Sequence, residues 1–166
     1  MKTVPLHGNL AAGRVALVDD EDYELVSQYR WNVYERRRAS APRIHGPYAH
    51  GRMIGDHTYA KVYMHRLLVA WPRVDHIDGN GLNNQRSNLR AATLGQNEAN
   101  SGPRYGTSQF KGVSLDRRRW RAQITIDRRN YRLGYFATEE DAACAYDIEA
   151  LAAWGEFACL NFPQGD

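Results

Sequence analysis

The sequence predicts an α+β chain of two modules: a small hairpin-and-helix module in the middle, and a three-stranded antiparallel sheet packed on one helix at the C-terminal end. Three observations predict it. Short apolar runs near residues 74 and 89 flank an Asn- and Gly-rich turn. Between residues 110 and 136, apolar and polar residues alternate with the period of a strand. A run of alanines with a strong N-cap follows. The chain has 166 residues, 43% of them apolar, enough for two small domains.

From the N-terminus, Arg14-Val-Ala-Leu-Val18 reads as a strand. Asp19 to Asp22 is acidic, as suits the first turn of a helix, and Tyr23, Leu25, Val26 and Tyr29 recur near helical spacing. Trp31 to Tyr34 reads as a strand, and residues 35–60 as a hairpin with a loose loop. Residues 1–60 are therefore expected to extend the central module. Whether Arg36, Arg37 and Arg38 touch a ligand is left open by the sequence.

The central module is expected over 61–100. Val62 to Trp71 is apolar at most positions and predicts a buried helix stopped by Pro72. Val74 to Ile77 and Leu89 to Thr93 predict strands, and Asp78-Gly-Asn-Gly81 a turn. Thr93 and Gln96 match a capping box, so a helix carrying Asn97 should begin there. Residues 101–108 have linker composition.

The last module is expected over 109–163. Strands are predicted at Phe110–Leu115, Trp120–Ile126 and Tyr131–Phe136. In the second, Ala122, Ile124 and Ile126 alternate with Arg121, Gln123 and Thr125, so one face is apolar and the other polar and basic. Thr138, with Asp141 three residues on, begins a helix that Gly155 ends. Its alanines let it lie close on the apolar face. Trp120, Tyr146 and Trp154 are read as packing residues.

Net charge is only +3, too small to imply a polyanionic partner by itself. Its distribution says more. Ser108–Arg132 carries eight basic residues against two acidic ones, a larger excess than the whole chain's. Two cysteines, Cys144 and Cys159, cannot form a four-cysteine zinc site; both are expected to be buried free thiols, which fits a reducing cytoplasm. No secretion signal is read at the N-terminus, and no run approaches the roughly 20 apolar residues of a membrane span.

The run from Asp75-His76-Ile77-Asp78 through Asn88-Leu89-Arg90 to Asn97 resembles the HNH nuclease motif, closest to the branch found in phage and intron homing endonucleases. Met64-His65-Arg66-Leu67 also recurs in that branch. The resemblance implies a ββα-metal fold, in which Asp75 and Asn97 hold one divalent metal, His76 is the general base and Asn88 orients the histidine loop. It also implies Mg²⁺, with Mn²⁺ as the alternative, and no structural zinc. The chemistry is coherent. A neutral histidine, with an ordinary pKa of roughly 6.5, accepts a proton from water at working pH, and a hard cation stabilises a phosphate and its leaving oxygen. Arg86 and Arg90 are candidate phosphate contacts. Asn83 and Asn84 read equally as phosphate contacts or as turn residues, and His65 as a core or supporting residue. Where many members carry a further aspartate before the loop asparagine, this chain has Asn83-Asn84.

Phe110-Lys-Gly-Val113, Trp120-Arg-Ala-Gln-Ile124, Leu133-Gly-Tyr-Phe136, Ala142 to Asp147 and Leu160-Asn-Phe-Pro163 resemble the plant APETALA/ethylene-response-factor DNA-binding domain. That resemblance implies a sheet lying in the major groove of double-stranded DNA. Lys111, Arg121, Gln123, Thr125 and Arg132 are then expected to face DNA, and Arg117, Arg118 and Arg119 to meet phosphates. Ser114, Asp116 and Arg132 depart from the plant pattern, so base preference does not carry over. Asp116 is read as bracing an arginine of the turn, with acceptance from a cytosine amino group as the alternative. The combined expectation is a monomeric, phage-encoded endonuclease that nicks DNA in a bacterial cytoplasm; the alternative is a catalytically inactive DNA-binding regulator.

Overall fold

The structure is a computed structural model. It describes residues 1–38, 41–55, 61–103 and 106–163, with the side chains of 36–38 and 41–45 excepted, so the open question about Arg36, Arg37 and Arg38 lies outside the described side chains. The chain divides into two compact units, Met1–Ala92 and Thr93–Asp166.

In the first unit, β1 (Lys2–Pro5) pairs antiparallel with β2 (Val15–Val18). The acidic run forms a 3₁₀ turn, Asp20–Asp22, leading into the one-turn helix α1 (Tyr23–Ser27). β3 (Tyr29–Arg38) and β4 (Ala41–Met53) make a long hairpin, and β5 (Val62–Tyr63) adds to it through His50↔Tyr63 and Gly51↔Val62. The buried helix expected over Val62–Trp71 is much shorter: α2 covers Met64–Leu68. Val62 and Tyr63 are taken by the sheet at one end. At the other, β-branched Val69 is extended, at φ −133° and ψ 130°. β6 (Val74–His76) and β7 (Leu89–Ala91) pair antiparallel, with the 3₁₀ turn Arg86–Asn88 between them.

The core of this unit is assembled from both ends of it. Val4, Ala16, Val18, Val26, Trp31, Met64, Leu68, Leu82 and Leu89 are buried together. The Trp31 indole N–H donates to the Val26 carbonyl at 2.8 Å, so the one polar atom of this large side chain is satisfied inside.

The second unit begins with α3 (Leu94–Ala99). Its capping box is complete: Gln96 N donates to Thr93 Oγ1 at 3.2 Å, and Thr93 N to Gln96 Oε1 at 2.8 Å. The sheet order is β10 (Arg129–Phe136), β9 (Arg119–Ile126), β8 (Val113–Asp116), antiparallel throughout. Two-residue turns join the strands, with Arg117, Asp127 and Arg128 at positive φ. α4 (Glu139–Trp154) starts at Thr138, whose Oγ1 accepts from Asp141 N at 3.1 Å, and stops at Gly155. Ala142, Ala143, Tyr146 and Ala150 form its buried face, against Val113, Ala122 and Ile124.

Gly112 precedes β8 at φ +76°. A Cβ there would lie 1.9 Å from the Tyr146 ring, so only glycine permits this approach. Cys144 is exposed rather than buried, because it sits on the face of α4 opposite the alanines; Cys159 is half-buried. α3, which the motif groups with the hairpin, packs within the second unit. The Trp154 ring lies against Gly95, and the Ala99 carbonyl accepts from Cys159 N at 3.2 Å and from the Lys111 ammonium. Ser108, read as linker, is buried, and its hydroxyl donates to Glu139 at 2.6 Å. Among the described residues, no helix is long and apolar enough to cross a membrane.

Candidate active site and nucleic-acid interface

Asp75 and His76 are neighbours on β6, so their side chains diverge. Both are buried. Across the hairpin Asp75 faces Arg90 in register, and Arg90 Nε and Nη2 each lie 2.9 Å from Asp75 Oδ2. The carboxylate is thus held in one orientation by a fixed cation.

His76 sits among rings. Its centroid lies 5.2 Å from that of His65, edge to face, and 5.9 Å from that of Tyr48. His65 in turn stacks on Tyr63 at 5.6 Å. His76 Nε2 makes a long contact, 3.5 Å, with Asn84 Oδ1. Asn84 is fully buried and its Nδ2 donates to the Leu82 carbonyl at 3.1 Å, which fixes the amide with its oxygen toward the imidazole. An amide oxygen only accepts, so this long contact suits the tautomer that carries its proton on Nε2. Desolvation holds His76 below the ordinary histidine range; the Asn84 contact and the Asp78 and Asp75 carboxylates pull the other way.

Asn88 closes the loop after β6. Its Nδ2 donates to Asp78 Oδ1 at 2.9 Å and to the Asn83 carbonyl at 2.8 Å, and its Oδ1 accepts from Asp78 N at 3.0 Å. Asp78 is the other hub: it also accepts from Asn80 N and from Asn83 Nδ2, each at 2.8 Å. The loop is anchored to the N-terminal strands as well. Leu17 N donates to the Leu82 carbonyl and Asn84 N to the Leu17 carbonyl, each at 2.8 Å.

In the second unit the face of the sheet opposite α4 carries Ser114 and Asp116 on β8, Arg121, Gln123 and Thr125 on β9, and Asn130, Arg132 and Tyr135 on β10. The cross-strand partners are Ser114↔Arg121, Arg121↔Tyr135, Gln123↔Arg132 and Thr125↔Asn130. The register slips by one residue between Arg132 and Gly134. Arg132 lies 5.8 Å from the Tyr135 ring centroid. Arg119, Arg128, Arg129 and Arg132 are exposed on that face or at its rim.

No family model matches the chain. Over 150 residues, 90% of this chain and 75% of the relative, it is 31% identical to an uncharacterized HNH endonuclease, L560, of Acanthamoeba polyphaga mimivirus. The chain belongs to the HNH endonuclease family. Its C-terminal part is similar to two Arabidopsis thaliana proteins: 43% identical over 58 residues to ethylene-responsive transcription factor ERF025, and 42% over 71 residues to dehydration-responsive element-binding protein 2A. Those matches cover 34% and 39% of this chain, and the chain spans 25% and 20% of those relatives.

Within this HNH chain the hairpin brings Asp75, His76, Asn88 and Arg90 together. Asn97 lies on α3, in the second unit. Among the described residues, no three His, Cys, Asp or Glu side chains cluster as a metal site. The ligand set that the motif implies is of another kind, one carboxylate and one amide, and its all-oxygen donors suit a hard cation.

Arg86, Arg90 and Lys111, which the sequence offers as DNA contacts, each have partners within the protein. Arg86 grips Asp22 with its fork, Nε to Oδ2 at 2.9 Å and Nη2 to Oδ1 at 2.8 Å, while Arg86 N donates to Asp19 at 2.8 Å. That backbone hydrogen bond holds the Asp19 carboxyl below the usual range. Lys111 turns to the Ala99 carbonyl and lies 5.9 Å from the Tyr146 ring centroid, on the helix side of the sheet. Sequence reasoning missed Asn84 as the partner of His76 and Asp78 as the loop hub. The signal for Asp78 was present, since an aspartate two residues before a backbone N–H forms an Asx turn; nothing local marks Asn84.

Proposed function

We propose that this HNH protein is a metal-dependent endonuclease of the phage and intron homing branch. It binds double-stranded DNA through its C-terminal sheet and hydrolyses a phosphodiester bond, nicking one strand as a monomer. The observation that carries this reading is the buried His76 imidazole next to Asp75 on β6, with Asn84 Oδ1 3.5 Å from its Nε2. Such a ring is a competent general base. In the proposed step, a water gives its proton to the His76 imidazole and its oxygen forms a bond to phosphorus, while the bond from phosphorus to the 3′ oxygen breaks and that oxygen takes up a proton from solvent. Asp75 and Asn97 would hold Mg²⁺ or Mn²⁺, which supplies charge stabilisation to the phosphate and the leaving oxygen. Asn88 keeps the loop closed over the histidine strand. Arg117, Arg118 and Arg119 in and beside the first turn meet phosphates, and Arg121, Gln123, Thr125 and Arg132 face the groove.

The test is a supercoiled plasmid incubated with the full chain and Mg²⁺ or Mn²⁺, with and without chelator. Open circles should accumulate with metal and not with chelator. His76→Ala should lower the rate by about 10²–10⁴-fold while duplex binding persists. Binding without any cleavage by the unaltered chain would leave the regulator reading in its place. Linear product formed at first order by dilute monomer would rule out nicking.

A further inference from the structure

On the exposed sheet face, Arg121 is bracketed by side chains to which the nuclease reading gives no role. Ser114, Arg121 and Tyr135 stand directly opposite one another across the three strands. Arg121, on the middle strand, donates from Nη2 to Ser114 Oγ at 3.2 Å. Asp116, two residues beyond Ser114 on the same face, accepts from the Tyr135 hydroxyl at 3.0 Å, and the same carboxylate oxygen lies 3.7 Å from Arg121 Nη1. One carboxylate therefore spans from the first strand to the third beside the arginine of the middle one.

We infer that Asp116 is a positioning residue for sequence readout, fixing Arg121 to read a guanine edge in the major groove. This rests on the proposal that the sheet binds duplex DNA. The chemistry favours a base over a phosphate as the target of Arg121. An arginine that only neutralises phosphate works best as a free, uncompensated charge, as Arg117 and Arg118 can in the neighbouring turn. Arg121 instead has a carboxylate beside it, which offsets its charge and repels the DNA backbone. What the bracket provides is orientation: Ser114 and Asp116 restrain a long side chain that would otherwise lose rotamer freedom on binding. A restrained guanidinium suits the paired O6 and N7 acceptors that guanine presents in the major groove. Tyr135 holds Asp116 from the far strand and does not itself touch the base.

The test uses the full chain with chelator, so that binding is read without cleavage, and a randomised duplex pool. The selected sites should share a guanine at one position, and replacing it with 7-deazaguanine, which lacks N7, should weaken binding about tenfold. Asp116→Asn, nearly isosteric, should flatten the preference at that position alone while total duplex affinity holds or rises. Tyr135→Phe, which keeps the ring, should flatten it partly. Guanine selection unchanged in both variants, or no position sensitive to 7-deazaguanine in the unaltered chain, overturns the inference and leaves duplex binding standing. Failure of the unaltered chain to bind any duplex overturns the DNA-binding reading and this inference with it.

Discussion

Two nitrogens of Arg90 converge on a single oxygen of Asp75, each at 2.9 Å, with both side chains largely removed from solvent at 12% and 5% exposure. Losing one member of a buried pair leaves the other charge uncompensated. Arg90→Ala is expected to cost about 3–5 kcal/mol of stability, read from urea unfolding of the full chain. The doubly substituted Asp75→Asn, Arg90→Met chain should recover part of that loss. Equal stability of Arg90→Ala and the parent would show that the pair contributes nothing net.

His65 gives the protein an acid-sensitive core. Burial, with the neighbouring His76 and Arg66 adding to it, drives its pKa down to about 3, whereas the unfolded chain titrates near roughly 6.5. Between these values the unfolded state binds a proton that the folded state excludes. Stability from this group is therefore complete above about pH 6.5 and falls as pH drops toward 3, by up to about 1.4 kcal/mol per unit. Urea midpoints at pH 7, 6 and 5 should decline, and should decline less steeply in His65→Phe. Parallel declines in the two proteins would exclude His65 as the source.

Gly112→Ala should unfold or badly distort the C-terminal unit. The substitution puts a Cβ against the Tyr146 ring and 2.7 Å from the Gln123 carbonyl, on a backbone already at positive φ. A loss above about 3 kcal/mol is expected. Thermal unfolding measures it, and duplex binding should fall with it. A fully stable Gly112→Ala chain would mean that the first strand and α4 can separate freely.

Salt dependence separates phosphate contacts from structural arginines. Arg117→Ala and Arg118→Ala should each reduce the slope of log K against log salt by about 0.9. Arg86→Ala should leave the slope unchanged, because its guanidinium is already committed to Asp22; its effect should appear in stability. The measurement is duplex binding by fluorescence anisotropy across a salt series. A slope change for Arg86→Ala matching that of Arg117→Ala would place it on DNA.

The features legible in the sequence were those with local causes. The Thr93–Gln96 capping box and the Thr138 cap are decided within four residues, and both form as the side-chain chemistry dictates. The alternation of Ala122 and Ile124 with Arg121 and Gln123 separates buried from outward residues because strand geometry leaves no other choice. The unread features depend on distant partners. β1 is four residues ending in proline and exists only because β2 lies beside it. The first turn of the helix expected at Val62 was lost to β4 pairing. Arg86 looks like a phosphate contact until Asp22, 64 residues earlier, folds against it. Asn84 reads as turn filler because its contact to His76 crosses the loop.

The N-terminal strands alter what counts as the smallest working fragment. Leu17 hydrogen-bonds to both ends of the Leu82–Asn84 segment, and Asp19 and Asp22 clasp the next two residues. A cassette excised at residue 61 and grafted onto another DNA-binding protein would keep every motif residue yet discard the splint that sets Asn84 against His76. Useful transplantation of this HNH module must begin at the chain's first strand.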